Sequence, residues 1–162
     1  MRKINLYIFD IDGVVADISH RLHYMQEKNY DAFYSDEEIA KDKEIPAGID
    51  LVKRLFKSGD SIVMYMTGRP DSTDLATWDW LGEHEALFAH TIFYRDNGDY
   101  RPSPVVKTEA VQEALDYARK SLRKELGNIY FIDDDPKNVQ AVEEKYPDIT
   151  GIVFTTKRME EE

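Results

Sequence analysis

The feature that most limits how this chain can fold is a series of short, β-rich apolar runs, each ending abruptly in polar residues. Residues 4–9 (INLYIF) run into Asp10-Ile11-Asp12-Gly13, residues 62–66 (IVMYM) into Thr67-Gly68-Arg69, and residues 129–132 (IYFI) into Asp133-Asp134-Asp135. Residues 91–94 (TIFY) form another such run, and 149–154 a fifth, interrupted by Gly151. Short, nearly continuous apolar runs are what strands buried on both faces require. Between them the spacing turns helical. Residues 46–57 open on Pro46 and stop before Gly59. A second helix is expected from a cap at Asp71 or Ser72 to about Leu81, with Gly82 as its stop. In 107–126, Val111, Ala114, Leu115, Ala118 and Leu122 recur at helical spacing, and Gly127 is read as the terminator. Residues 136–145 follow a cap at Asp135, with Pro136 in the first turn. This alternation predicts an α/β fold, a central parallel sheet covered on both faces, with chemistry at the carboxyl ends of its strands.

Composition narrows the chemistry. Hydrophobic residues make up 42% of 162 residues, enough for the core of one domain. With 21 basic and 32 acidic residues the net charge is −11. That argues against long-tract binding to nucleic acid, which relies on many cations neutralising phosphates, but not against acting on a single nucleic-acid end. The absence of cysteine excludes disulfides, thiolate nucleophiles and Cys-ligated metal. No apolar run approaches the ~18 residues of a membrane span. Asp10 and Asp12 interrupt the first apolar stretch too early for a signal peptide, so a cytoplasmic chain is expected. The acidic end, 160–162, reads as a solvated tail.

Several carboxylates gathered at one sheet edge repel one another, and burial raises their pKa values unless a cation is present. With oxygen donors only, a hard cation such as Mg²⁺ is the natural solution. Thr67-Gly68-Arg69 offers a hydroxyl, backbone amides and a guanidinium, the groups that cradle a phosphate. Taken singly, each motif has an ordinary explanation: Asp-Gly is turn material, and Asp135 is a helix cap. Together, in this order, they are harder to explain that way.

The ordered set YIFDIDGVV, VMYMTGR, Lys107 and IYFIDDD resembles the haloacid dehalogenase (HAD) superfamily over nearly the whole chain. The resemblance implies a three-layer Rossmann-like fold with a small or absent cap. It implies Asp10 as a nucleophile forming a phosphoaspartyl intermediate, and Asp12 as general acid and then base. Thr67 and Lys107 would hold the phosphoryl group. Asp133 and Asp134 would complete a Mg²⁺ site with Asp10 and the backbone carbonyl of Asp12. Within the superfamily, Asp17-Ile18-Ser19-His20-Arg21-Leu22 and Gly98-Asp99-Tyr100-Arg101-Pro102 before Val105-Val106-Lys107 are similar to the 3′-phosphatase domain of phage polynucleotide kinase/phosphatase. That similarity implies a phosphorylated nucleotide or nucleic-acid 3′ end as substrate, contacted by Arg21, Thr67, Gly68, Arg69 and Lys107. One departure is Ser103, where relatives commonly carry an acid four residues before the lysine. No GxxxxGK with a following Ser or Thr is present, so ATP-dependent phosphorylation is not expected.

The chain is therefore expected to form one domain, 1–162, with a flap at about 14–45 and an open mouth. The flap aromatics Tyr24, Tyr30, Phe33 and Tyr34 are read as packing on their own core, and the four histidines as non-ligands. Two alternatives stay open: a less selective nucleotidase or small-molecule phosphatase, and a receiver-type signalling domain that accepts a phosphoryl group on Asp.

Overall fold

The computed structural model describes residues 2–156; the acidic end at 160–162 lies outside them. In chain order the strands are β1 (Ile4–Phe9), β2 (Ala16–Asp17), β3 (Lys43–Glu44), β4 (Ser61–Pro70), β5 (Thr91–Arg95), β6 (Leu126–Asp133) and β7 (Ile149–Val153). The helices are α1 (Leu22–Gln26), α2 (Tyr30–Phe33), α3 (Asp36–Ala40), α4 (Pro46–Lys57), α5 (Asp74–Glu83), α6 (Ser103–Asp116) and α7 (Pro136–Lys145). Five strands form one parallel sheet in the order β5-β4-β1-β6-β7. Alternate residues of β1 sort to opposite faces, as the two-residue period of a strand demands. Leu6 and Ile8 meet Val111, Leu115, Val139 and Val142 of α6 and α7. Phe9 meets Val52, Trp80 and Leu81 of α4 and α5. The result is the expected three-layer α/β arrangement. Because β1 is flanked by β4 on one side and β6 on the other, chain direction across the sheet reverses there. In open α/β sheets the crevice at such a switch point, beyond the carboxyl ends, is where ligands bind.

The helices α4 and α7 have the bounds their Pro and cap signals predict. Three elements differ. The strand β4 continues through Thr67, Gly68 and Arg69 to Pro70, because pairing with β5 resumes at Pro70–Arg95 after a shift in register. The helix α5 starts at Asp74, after a 3-10 turn at Asp71–Thr73, and runs through Gly82; the left-handed residue beyond its end is Glu85 (φ 51°). The helix α6 begins at Ser103 and passes through a π-helical turn, Tyr117–Ser121, where the helical run ends. Gly127 lies instead in β6, where a Cβ would come within 2.9 Å of the Asn5 side-chain oxygen; close approach, not helix termination, explains that glycine.

Residues 14–45 leave the sheet after β1. They form the antiparallel pair β2–β3, a 3-10 turn at Ser19–Arg21, and the short helices α1–α3. Phe33 and Ile39 bury this segment's apolar side. Gly48 at the start of α4 packs so closely on the Val14 carbonyl that a Cβ there would overlap it. Among the described residues no helix is long and apolar enough to cross a membrane.

Candidate active site

Asp10 follows β1 directly, and its backbone N–H still donates to Ile132 of β6 at 2.9 Å, so the sheet itself holds it. The chain then folds tightly, with the amides of Val14, Val15 and Ala16 all donating to the Ile11 carbonyl. Gly13 takes φ +82° in this turn, and a Cβ on it would lie 2.0 Å from Asp134 Oδ2. Glycine thus lets Asp134 close onto the loop. Asp10, Asp133 and Asp134 each present an oxygen, all within 4.8 Å of one another. Lys107 reaches them from α6, only 3% exposed, with Nζ 3.0 Å from Asp10 Oδ1 and donating to Asp133 Oδ2. Asp133 also accepts from the backbone N–H of Asp135 at 2.9 Å and from Asn138 Nδ2 at 3.2 Å.

Charge in this cluster is unbalanced, since three carboxylates face one ammonium. Burial, and then the charge of Asp133, push Asp10 well above the usual carboxylate range despite the relief from Lys107. The same two causes raise Asp134 to about 6. Beside them Asn138 Oδ1 is buried without a hydrogen-bond partner. Clustered anionic oxygens, no nitrogen or sulfur donor, and an excess of negative charge fit a hard divalent cation.

Asp12 stands apart from that trio. Its Oδ1 accepts from Arg69 Nη2 at 2.6 Å and from Nε at 3.1 Å, and Arg21 Nη2 lies 3.6 Å away. Burial works to raise the Asp12 pKa, but Arg69 and then Arg21 outweigh it, and the net shift is downward. Both arginines are completely buried. Arg21 donates to both oxygens of Asp42 (2.8 and 2.9 Å) and to the Phe33 carbonyl, and its guanidinium lies over the Phe33 ring. Arg69 donates also to Asp42 Oδ2 at 2.9 Å and to Thr77 Oγ1 at 3.1 Å. The structure therefore places Arg21 and Arg69 in an internal Asp12–Arg69–Asp42–Arg21 chain. Asp42 is the member that sequence reasoning missed. Its neighbours, Lys41 and Lys43, do not mark it; only the need of two buried arginines for a counter-charge points to an acid.

Thr67 is buried at the mouth, its Oγ1 accepting from the Arg69 amide at 3.1 Å. Gly68 is half-buried, and a Cβ on it would meet nothing closer than Arg95 Nη2 and Ser103 Oγ, both at 3.9 Å. Arg95 donates from Nε to the Gly68 carbonyl at 3.0 Å and from Nη1 to the carbonyls of Asp99 and Arg101. Of the predicted residues, Asp10, Asp133, Asp134 and Lys107 converge directly, Asp12 is held by Arg69, and Thr67 and Gly68 border them on the adjacent strand.

A parallel sheet delivering this carboxylate–lysine centre to its switch point defines a phosphatase domain of the HAD superfamily. Residues 4–142 match the model of the polynucleotide kinase PNKP phosphatase domain, and the chain belongs to that family. Membership sets the receiver alternative aside. No curated protein matches the chain. Among solved structures, a chain of the Pnkp1/Rnl/Hen1 complex is similar with TM-score 0.69 and 17% identity, over 94% of this chain and 46% of that one. This chain thus spans less than half of that protein. The class C acid phosphatase from Bacillus anthracis with tungstate bound is similar with TM-score 0.64 and 19% identity, over 98% of this chain and 69% of that one. A dehalogenase is similar with TM-score 0.57 and 11% identity, over 97% and 87%. At such identities these likenesses concern the fold.

Proposed function

We propose that this chain is a Mg²⁺-dependent phosphomonoesterase acting through a phosphoaspartyl intermediate on 3′-phosphate ends of DNA or RNA, or on 3′-nucleotides. The observation that carries the reading is the approach of Asp10, Asp133 and Asp134 within 4.8 Å, with Lys107 wedged between Asp10 and Asp133. Asp10, Asp133 and Asp134 would hold Mg²⁺, which when bound supplies positive charge against the phosphate oxygens. Asp10 attacks phosphorus and the bond to the leaving oxygen breaks. Lys107 offsets the charge on the transferring group, while Thr67 and the Gly68 backbone bind its oxygens. Water then attacks the acyl phosphate, Asp12 accepts its proton, and Asp10 and inorganic phosphate are released.

Asp12 also has to see a proton delivered to the leaving oxygen. Arg69 and Arg21 favour its ionised form, which suits the second step. For the first step the proton arrives with the substrate: a phosphate monoester has its second pKa near ~6, so the monoanion passes its proton through Asp12 to the departing hydroxyl. The segment 14–45 serves as a small cap on a single domain.

A less selective nucleotidase is the second reading, favoured by the net charge of −11, which provides no basic track for a long strand. Phosphate release from a 3′-phosphorylated oligonucleotide and from 3′- and 5′-mononucleotides, with Mg²⁺ or with EDTA, separates the two. Preference for the 3′-phosphates supports the first. Equal rates on all three overturn end specificity, and undiminished rates in EDTA overturn the metal.

A further inference from the structure

Beside the phosphate-binding edge a second feature has no part in the chemistry above. A cavity of about 740 Å³ opens between the 14–45 segment and the loop after β5. Its size lies within the ~300–1,000 Å³ typical of sites for small organic groups. The 14–45 segment contributes Met25, Tyr30 and Tyr34 to its lining, and the loop after β5 contributes Tyr100. Scattered exposed aromatics are ordinary, but a set from two distant segments facing one cavity is not scatter. Tyr30 is 44% exposed and Tyr100 84% exposed. Of the other two flap aromatics, Phe33 packs inward under Arg21 as the sequence predicts, while Tyr24 lies half-buried against His23, so only part of that expectation holds for the flap.

The cavity adjoins the reacting centre. Pro70, Arg95 and Ser103 also line it, and Arg95 and Ser103 are the groups nearest to a Cβ placed on Gly68. Tyr34 lies close enough to Asp12 that, after burial, the charge of that carboxylate is the main influence raising its pKa. A group attached to a phosphate held at Thr67 and Gly68 would therefore extend into this cavity. The lining carries more carboxylates (Asp31, Asp96, Asp99) than guanidinium groups (Arg95, Arg101). Such a balance disfavours a run of phosphodiesters and favours one flat, weakly charged ring.

We propose that this cavity receives the nucleobase of the phosphate-bearing nucleotide, stacked against Tyr30 and Tyr100. The proposal rests on the nucleotide phosphatase reading above and names what that site recognises beyond the phosphate. Stacking on aromatic faces tolerates any base, so the cavity selects nucleotides over other phosphate esters without reading sequence.

The test compares kcat/KM, with Mg²⁺ and the full chain, on two substrate pairs. One is a 3′-phosphorylated oligonucleotide against the same oligonucleotide with an abasic terminal nucleotide; the other is a 5′-mononucleotide against ribose 5-phosphate. The wild type is expected to prefer the base-bearing member of whichever pair it turns over by about tenfold. Tyr100→Ala and Tyr30→Ala, both at exposed positions, should erase that preference while leaving the abasic rate unchanged, and Tyr100→Phe should keep it. Equal rates within a pair, or variants that slow both members alike, overturn the proposal. Turnover of only the 5′ pair overturns 3′ specificity but still reads the cavity. Hydrolysis of p-nitrophenyl phosphate with neither pair turned over overturns both.

Discussion

Arg69 grips Asp12 across 57 residues of sequence, with Nη2 2.6 Å from Oδ1, while the same nitrogen reaches Asp42 at 2.9 Å. One guanidinium thus holds Asp12, the carboxylate proposed to handle protons, and at the same time offsets the charge of the buried Asp42. Removing one member of a buried pair leaves a charge uncompensated, which costs about 3–5 kcal/mol. Arg69→Gln is therefore expected to destabilise the fold on that scale in urea titration. It should also lower kcat/KM by roughly the 10²–10⁴ that a positioned acid–base group contributes. Retained stability would mean that Asp42 finds another partner.

Asp10→Asn separates chemistry from folding. The change removes the proposed nucleophile, so acid-quenched phosphoenzyme and phosphate release should both vanish. It also removes a desolvated carboxylate repelled by Asp133. The metal-free melting temperature should accordingly stay level or rise, with Lys107 still paired to Asp133. Near-normal turnover by this variant would end the covalent route.

Asp134 makes stability depend on pH with a definite sign. Burial and the charge of Asp133 push its pKa up to about 6, above the 3.8 of an ordinary aspartate. Between those values the folded state binds more protons than the unfolded, so this group destabilises as pH rises through about 4 to 6. Asp10 and Asp42 are shifted in the same direction by burial. Metal-free protein should melt higher at pH 5 than at pH 7.5. Mg²⁺ should raise the melting temperature more at pH 7.5, where it need not displace protons; equal increments at both pH values would contradict the assignment.

Gly13 and Gly68 should respond differently to alanine. At Gly13 the backbone is left-handed and the new Cβ would collide with Asp134. Gly13→Ala should cost about 1–2 kcal/mol and weaken Mg²⁺ binding, measured by calorimetry, at least tenfold. At Gly68 the nearest atoms are 3.9 Å away, so Gly68→Ala should leave the melting temperature almost unchanged. Any loss there should appear in KM, because the added methyl would stand at the edge proposed to bind phosphate.

Local patterns were sufficient for much of this protein. Strands buried on both faces must be short and apolar, so β1, β5, β6 and β7 were legible from their own residues, as were the acids following β1 and closing β6. Pro46 and Asp135-Pro136 marked the starts of α4 and α7 for equally local reasons. The end of α5 was legible to within two residues, since Gly82 stands in its last turn and the helix stops at Glu83. The end of α6 was not: Gly127 looks like a stop, but a close strand contact with Asn5 is what requires it.

The sequence by itself determined the succession of the five sheet strands and the four helices between them, and the kind of chemistry at the sheet edge, since periodicity, caps and apolar runs act over a few residues. The short elements of 14–45 were not among them. Only the tertiary structure decided that Arg21 and Arg69 turn inward onto Asp12 and Asp42, and that Tyr30 and Tyr100 face one cavity. A buried charge takes whichever counter-charge the packed chain brings near it. That choice depends on desolvation and distance in space, which spacing along the chain does not encode.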